Sequence, residues 1–132
     1  MTNRRSDLRR LVDTAKGLAH PARLRLLGML ATGELCVCQM TAVLGLSPST
    51  VSRHLSVLAR GGLVDDRKDG KLVYYRLASG GEAEAVLGPL LALLDRVEQV
   101  EADRSVSESL RKVPVTRLCA ADLDLTAIGV VP

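Results

Sequence analysis

Apolar residues along the first half of the chain recur at the three-and-four spacing of amphipathic helices. Between Asp7 and Leu18 the stripe is Leu8, Leu11, Val12, Ala15 and Leu18, which predicts a first helix. Pro21 suits the first turn of a second helix, running to about Ala31. Leu24, Leu27 and Leu30 lie on one side of it, Arg23 and Arg25 on the other, and Gly33 is a natural stop. A short third helix is expected from Leu35 to Leu44, closed by Gly45, with Leu46 turned inward. Ser47-Pro48 then offers an N-cap hydroxyl and a pre-set φ for a fourth helix. Short helices joined by such a turn form a helix-turn-helix layout.

The fourth helix, Pro48 to Arg60, sorts cleanly at 100° per residue. Val51, Leu55 and Leu58 share one arc; Ser49, Ser52, Arg53, Ser56 and Arg60 occupy the other. Hydroxyls and guanidinium groups on one face suit hydrogen bonding to base edges and phosphates in a major groove. Gly61-Gly62 closes the helix, and Leu63 to Leu77 reads as a β-hairpin turning at Asp69-Gly70. A two-residue loop there pairs Lys68 with Lys71 and Val64 with Tyr75. It leaves Arg67, Lys68 and Lys71 near an exposed tip, as a wing carrying phosphate-seeking cations. Beyond Ser79-Gly80-Gly81 a long helix is expected, from Glu82 or Pro89 to Asp103, with an apolar stripe of Leu87, Leu90, Leu91, Leu94 and Val97. With the first helix, this stripe offers a self-complementary surface for a two-fold dimer. The predicted fold is mainly α with a β-hairpin wing: residues 1–104 form a winged helix-turn-helix and dimerisation domain, and residues 105–132 a C-terminal tail.

At 132 residues the chain fits one domain, and its formal charge of +3 mildly favours a polyanionic partner. Only Tyr74 and Tyr75 are aromatic, which argues against a stacking platform for single strands and leaves duplex DNA. The polar, Arg-rich start lacks an apolar signal region, and the greasiest stretch, Ala85 to Leu94, contains Gly88 and Pro89; neither secretion nor membrane insertion is expected. Three cysteines, an odd count, suit a reducing cytosol better than a disulfide framework. No nucleophile, base and orienting trio and no Gly-rich phosphate loop is present, so an enzyme is not expected.

Three segments in order resemble the ArsR/SmtB transcriptional repressors. Leu18-Ala19-His20-Pro21-Ala22-Arg23-Leu24-Arg25-Leu26-Leu27 is similar to the family's second-helix signature, and Ser49-Thr50-Val51-Ser52-Arg53-His54-Leu55 to its recognition helix. Arg67-Lys68-Asp69-Gly70-Lys71 with Tyr74-Tyr75-Arg76 is similar to its wing. The resemblance implies a homodimer through the first and last helices, binding an imperfect inverted repeat in double-stranded operator DNA. Fourth helices would enter successive major grooves and wings would touch flanking backbone. It makes Ser49, Ser52 and Arg53 the base-facing positions, with Thr50, His54 and Ser56 beside them. Pro48 departs from the glutamine of many relatives, so operator preference does not transfer.

Glu34-Leu35-Cys36-Val37-Cys38 is similar to the third-helix box of the family's arsenic-responsive branch. Thiolates are soft donors, suited to trivalent arsenic or antimony, inorganic or methylated. On an ideal helix Cys36 and Cys38 point roughly 200° apart, so joint binding requires a distorted helix start. The family's best-known box has a further cysteine where this chain has Thr41; the remaining thiol, Cys119, lies in the tail and is the candidate third donor. No organic cofactor is implied. Alternatives on the same scaffold are a thiol redox sensor and a zinc or cadmium sensor built from the thiolates.

Overall fold

The computed structural model describes the backbone of residues 4–120 and the side chains of residues 7–118. Helix α1 (Arg4–Leu18) is followed by α2 (Pro21–Leu30), a two-residue strand β1 (Leu35–Cys36), α3 (Val37–Leu44) and α4 (Pro48–Arg60). Strands β2 (Val64–Asp69) and β3 (Leu72–Leu77) form the hairpin, and α5 (Gly81–Leu94), α6 (Glu98–Arg111) and α7 (Val115–Ala120) follow. Local chemistry explains the central turn. Gly45 ends α3 in the left-handed region at φ 67°, which costs glycine nothing, and Ser47 caps α4 by accepting from Thr50 N–H. Leu46 departs from expectation: it is 39% exposed, because the chain turns outward between the two helices.

The core forms around α2. Leu26, Leu27 and Met29 are fully buried, with Met40 of α3 and Val51, Leu55 and Leu58 of α4 closing over them. A helix buried on nearly all sides cannot show a single stripe, so the predicted division of α2 into two faces is only partly realised. The arginines of α2 are tethered. Arg25 forms a two-pronged ion pair with Asp103, at 2.8 and 2.9 Å, and Gln99 donates to the same carboxylate at 2.9 Å.

Three sequence expectations are corrected. The third helix starts at Val37, because Leu35 and Cys36 are extended and pair antiparallel with Tyr75 and Tyr74, making the sheet order β1-β3-β2. The hairpin register is Lys68 opposite Val73 and Val64 opposite Leu77. Gly70, at φ 62°, and Lys71 form the turn, so the register moves by two residues; side-chain faces are preserved, and two apolar residues meet at the hairpin's base. The long C-terminal helix is two helices, broken at Asp95–Val97. Arg104 holds the break by donating to Asp95 at 2.7 Å and to the Gly28 carbonyl at 2.8 Å. Helix α6 passes residue 104 without interruption, and α7 packs on α3 through Leu118.

The bend also redirects the apolar stripes. Leu87 and Leu94 are buried in the chain's own core, so they do not form the free stripe expected of them. Helix α1 instead turns Gly17 inward and leaves Leu8, Leu11 and Val12 between 51% and 64% exposed, while Leu93 and Val97 are exposed beyond α5's core face.

The contact of α6 on α2 leaves no room at Gly28. A Cβ there would lie 2.6 Å from Val100 Cγ1, well inside van der Waals contact. Gly28→Ala should therefore destabilise the fold by about 1–3 kcal/mol in denaturant unfolding. Val100→Ala in the same chain should recover part of that loss; strictly additive effects would mean the two residues do not touch.

Candidate DNA-reading face and sensing site

Helix α4 presents its polar arc outward. Ser49, Ser52, Arg53 and Ser56 are exposed, whereas Thr50 and His54 are half-buried. The hydroxyls differ in availability: Thr50 Oγ1 lies 2.8 Å from Ser47 Oγ within the cap, and Ser56 donates to the Ser52 carbonyl at 3.0 Å. Ser49 Oγ is a looser 3.3 Å from Ser47. His54 turns toward α2. Its ring centroid is 4.5 Å from that of His20, and Arg23 Nη1 lies 3.2 Å from its Nδ1. His20 caps α2 by accepting from Ala22 N–H at 3.0 Å. Burial first, and then the charges of His20, Arg23 and Arg53, push the His54 pKa below its ordinary value, so its neutral form is the one packed here.

Lys68 and Lys71 are exposed at the hairpin end, as expected of a wing. Arg67, expected as a phosphate-seeking cation, is engaged within the molecule. Its guanidinium makes a two-pronged pair with Glu34, Nε to Oε2 at 3.1 Å, and lies 4.6 Å over the Tyr74 ring. The Arg67 hydrogen bond holds the Glu34 carboxyl below its ordinary range.

Glu34 directly precedes the cysteine pair. Cys36 is buried at the end of β1, with extended backbone at φ −77°, ψ 151°, and its N–H is held by Gln39 Oε1 at 2.8 Å. Cys38 is half-buried in the first turn of α3, packed against the cluster formed by Leu110 of α6 and Leu118 of α7. The expected divergence of about 200° therefore does not apply, because the two cysteines straddle a strand-to-helix junction. Thr41, one turn further on, is buried, and among the described residues its hydroxyl has no hydrogen-bond partner. The Cys119 side chain lies outside the described residues, although its backbone belongs to α7. Among the described residues no group of three or more His, Cys, Asp or Glu is placed to hold a metal ion. No helix among them is long and apolar enough to cross a membrane.

Sequence reasoning gave no role to Glu34, Gln39 or Tyr74, and of these Gln39 was not singled out at all. Glu34 and Tyr74 stood within the box and wing motifs; Gln39 carried no signal. The partners of all three depend on β1, which is too short to show a period.

A supporting helix, a capped recognition helix and a basic hairpin directly after it define a winged helix-turn-helix DNA-binding domain. Residues 20–66 match the family model described as bacterial regulatory protein, arsR family. The biofilm growth-associated repressor of Agrobacterium fabrum is 44% identical over 71 residues, covering 54% of this chain and 61% of that protein. The arsenical resistance operon repressor of Escherichia coli K12 is 47% identical over 68 residues, covering 51% and 58%. The solution structure of the homodimeric winged helix-turn-helix domain of a possible ArsR-family regulator from Mycobacterium bovis aligns with a TM-score of 0.61. It is 31% identical and covers 72% of this chain and 88% of that one. The chain belongs to the arsR family of bacterial regulatory proteins. It spans about three-fifths of the length of the two curated relatives.

The Glu34–Arg67 pair yields a test with a defined sign. Glu34→Gln frees Arg67 for phosphate and removes one negative charge. Affinity for random duplex should rise and the salt dependence steepen by roughly one unit. Unchanged salt dependence would mean that Arg67 is equally available in the wild type. Because the folded carboxyl lies below its ordinary 4.5, the pair's contribution is present above that pH and lost as pH falls through the lowered value.

Proposed function

We propose that the protein is a homodimeric repressor that occupies an imperfect inverted repeat in cytoplasmic DNA and is released when a trivalent arsenical or antimonial bridges Cys36 and Cys38. The observation that carries this reading is the position of the cysteines. Cys36 is the last residue of the strand paired with the wing, Cys38 lies in the first turn of the helix supporting α4, and Glu34 grips the wing's Arg67. A ligand joining the two sulfurs acts on a segment that touches both DNA-contacting elements, since β1 pairs with β3 and α3 packs on α4. Drawing the buried Cys36 sulfur toward Cys38 disturbs the rungs to Tyr74 and Tyr75, and with them the wing's position. The resistance function named for the Escherichia coli relative supports this inducer class.

The donor set fits it. Two thiols beside an apolar wall suit a soft, thiol-seeking ion and offer little to magnesium or calcium. Ser52 and Arg53 read bases in this account, Ser49 assists them, and Thr50 and Ser56 mainly shape the helix. Lys68 and Lys71 hold phosphate, and His54 packs against Arg23 while lying close to the backbone-facing side. The exposed Leu8, Leu11 and Val12 of α1 supply the dimer surface together with α5, in keeping with the homodimeric Mycobacterium bovis domain.

Operator anisotropy on the reduced protein tests the whole reading. Lys68→Ala with Lys71→Ala should weaken all duplexes alike, whereas Ser52→Ala should erode discrimination between operator and random sequence. Cys36→Ser or Cys38→Ser should keep operator affinity within about twofold and abolish release by arsenite. Release requires only modest coupling, since a tenfold fall in DNA affinity corresponds to about 1.4 kcal/mol. Release by arsenite that survives both cysteine substitutions, or release by zinc or peroxide alone, would contradict the assignment.

A further inference from the structure

We propose that the Thr41 hydroxyl holds the third substituent of an arsenical bound by Cys36 and Cys38, and so makes the site prefer hydroxylated arsenite over its monomethylated form. The proposal rests on the reading of that pair as the inducer site.

Trivalent arsenic carries three substituents. When arsenous acid meets two thiols, two As–S bonds form and two As–O bonds break. Each thiol proton leaves with the departing hydroxide, so two waters are released, nothing is oxidised or reduced, and one hydroxyl remains on arsenic. At this site that hydroxyl enters a sparsely polar environment. Cys38 packs with Ala42 and Val43 of its own helix against Leu110, Leu118 and Val106. A polar group brought there without a hydrogen-bond partner is disfavoured.

Thr41 supplies the partner. It stands three residues after Cys38, which on a helix makes the two side chains neighbours on adjoining arcs of one face. It is 3% exposed, and its Oγ1 has no hydrogen-bond partner among the described residues. Valine would fill the same volume without stranding a polar atom, so an unpaired threonine hydroxyl is a cost to the ligand-free protein that a bound hydroxyl would remove. The hydroxyl both donates and accepts, and so pairs with As–OH in either sense. It has nothing to offer a methyl group in the same position.

Direct binding of arsenite and of monomethylarsonous acid to the reduced full-length chain tests this, with Thr41→Val, Thr41→Ser and Cys119→Ser measured beside the wild type. Thr41→Val should lose about tenfold in arsenite affinity while binding the methylated ligand as well or better. Thr41→Ser should retain the wild-type order, and ligand-free Thr41→Val should melt no lower than wild type. Equal losses for both ligands would overturn the proposal, as would arsenite affinity that is untouched by Thr41→Val. Arsenite affinity cut by Cys119→Ser and not by Thr41→Val would give the third position to the tail thiol. If neither ligand binds the wild type, or if both still bind after Cys36→Ser and Cys38→Ser, the cysteine-pair reading itself falls.

Discussion

Two antiparallel residue pairs, Leu35 with Tyr75 and Cys36 with Tyr74, tie the segment before the supporting helix to the wing. A two-residue strand has little stability of its own; it exists because β3 presents an open edge and because α2 and α3 anchor its ends in the core. Leu35 is fully buried, and Gln39 Oε1 satisfies the Cys36 N–H at the point where pairing stops and the helix begins. Any displacement of this segment must either break those rungs or carry the hairpin with it. Beside the direct packing of α4 on β2 and of α2 and α3 on β3, the supporting helix is tied to the wing by a joint that contains a cysteine.

Electrostatics reinforce the joint on its solvent side. Arg67 gives two N–H donors to Glu34 and lays its guanidinium over the face of Tyr74, so the wing's first cation is committed within the molecule while Lys68 and Lys71 are exposed. On the opposite side of α2, the buried Asp103 carboxylate is matched by Arg25 and Gln99, and α6 is pressed so closely that only glycine fits at position 28. The α2–α6 base is closely packed and ion-paired, whereas β1 meets β3 over only two residues. In the proposed mechanism, deformation on ligand binding falls on this short pairing.

The elements legible in the sequence are those written in local chemistry. Ser47-Pro48 and Gly61 delimit α4 because capping and pre-set φ act within a few residues, and the three-and-four spacing of Val51, Leu55 and Leu58 gives its buried face directly. What remained hidden depends on residues distant in the chain. Strand β1 is created by pairing with β3 some forty residues later. The hairpin register follows from which apolar residues meet at its base, and the break after α5 is held by Arg104 reaching back to Asp95 and Gly28. The cysteine pair stood out in the sequence while its geometry did not: a helix start was expected where a strand end stands, so the ideal-helix divergence of about 200° does not describe the pair.

Amide hydrogen exchange resolved at single residues, with and without arsenite on reduced protein, tests the joint most directly. Ligand should accelerate exchange at Leu35 and Tyr75 while leaving the Asp69–Leu72 and Arg67–Tyr74 pairs of the hairpin at their ligand-free rates. Operator release accompanied by unchanged exchange at the β1–β3 rungs would contradict a mechanism that runs through this strand.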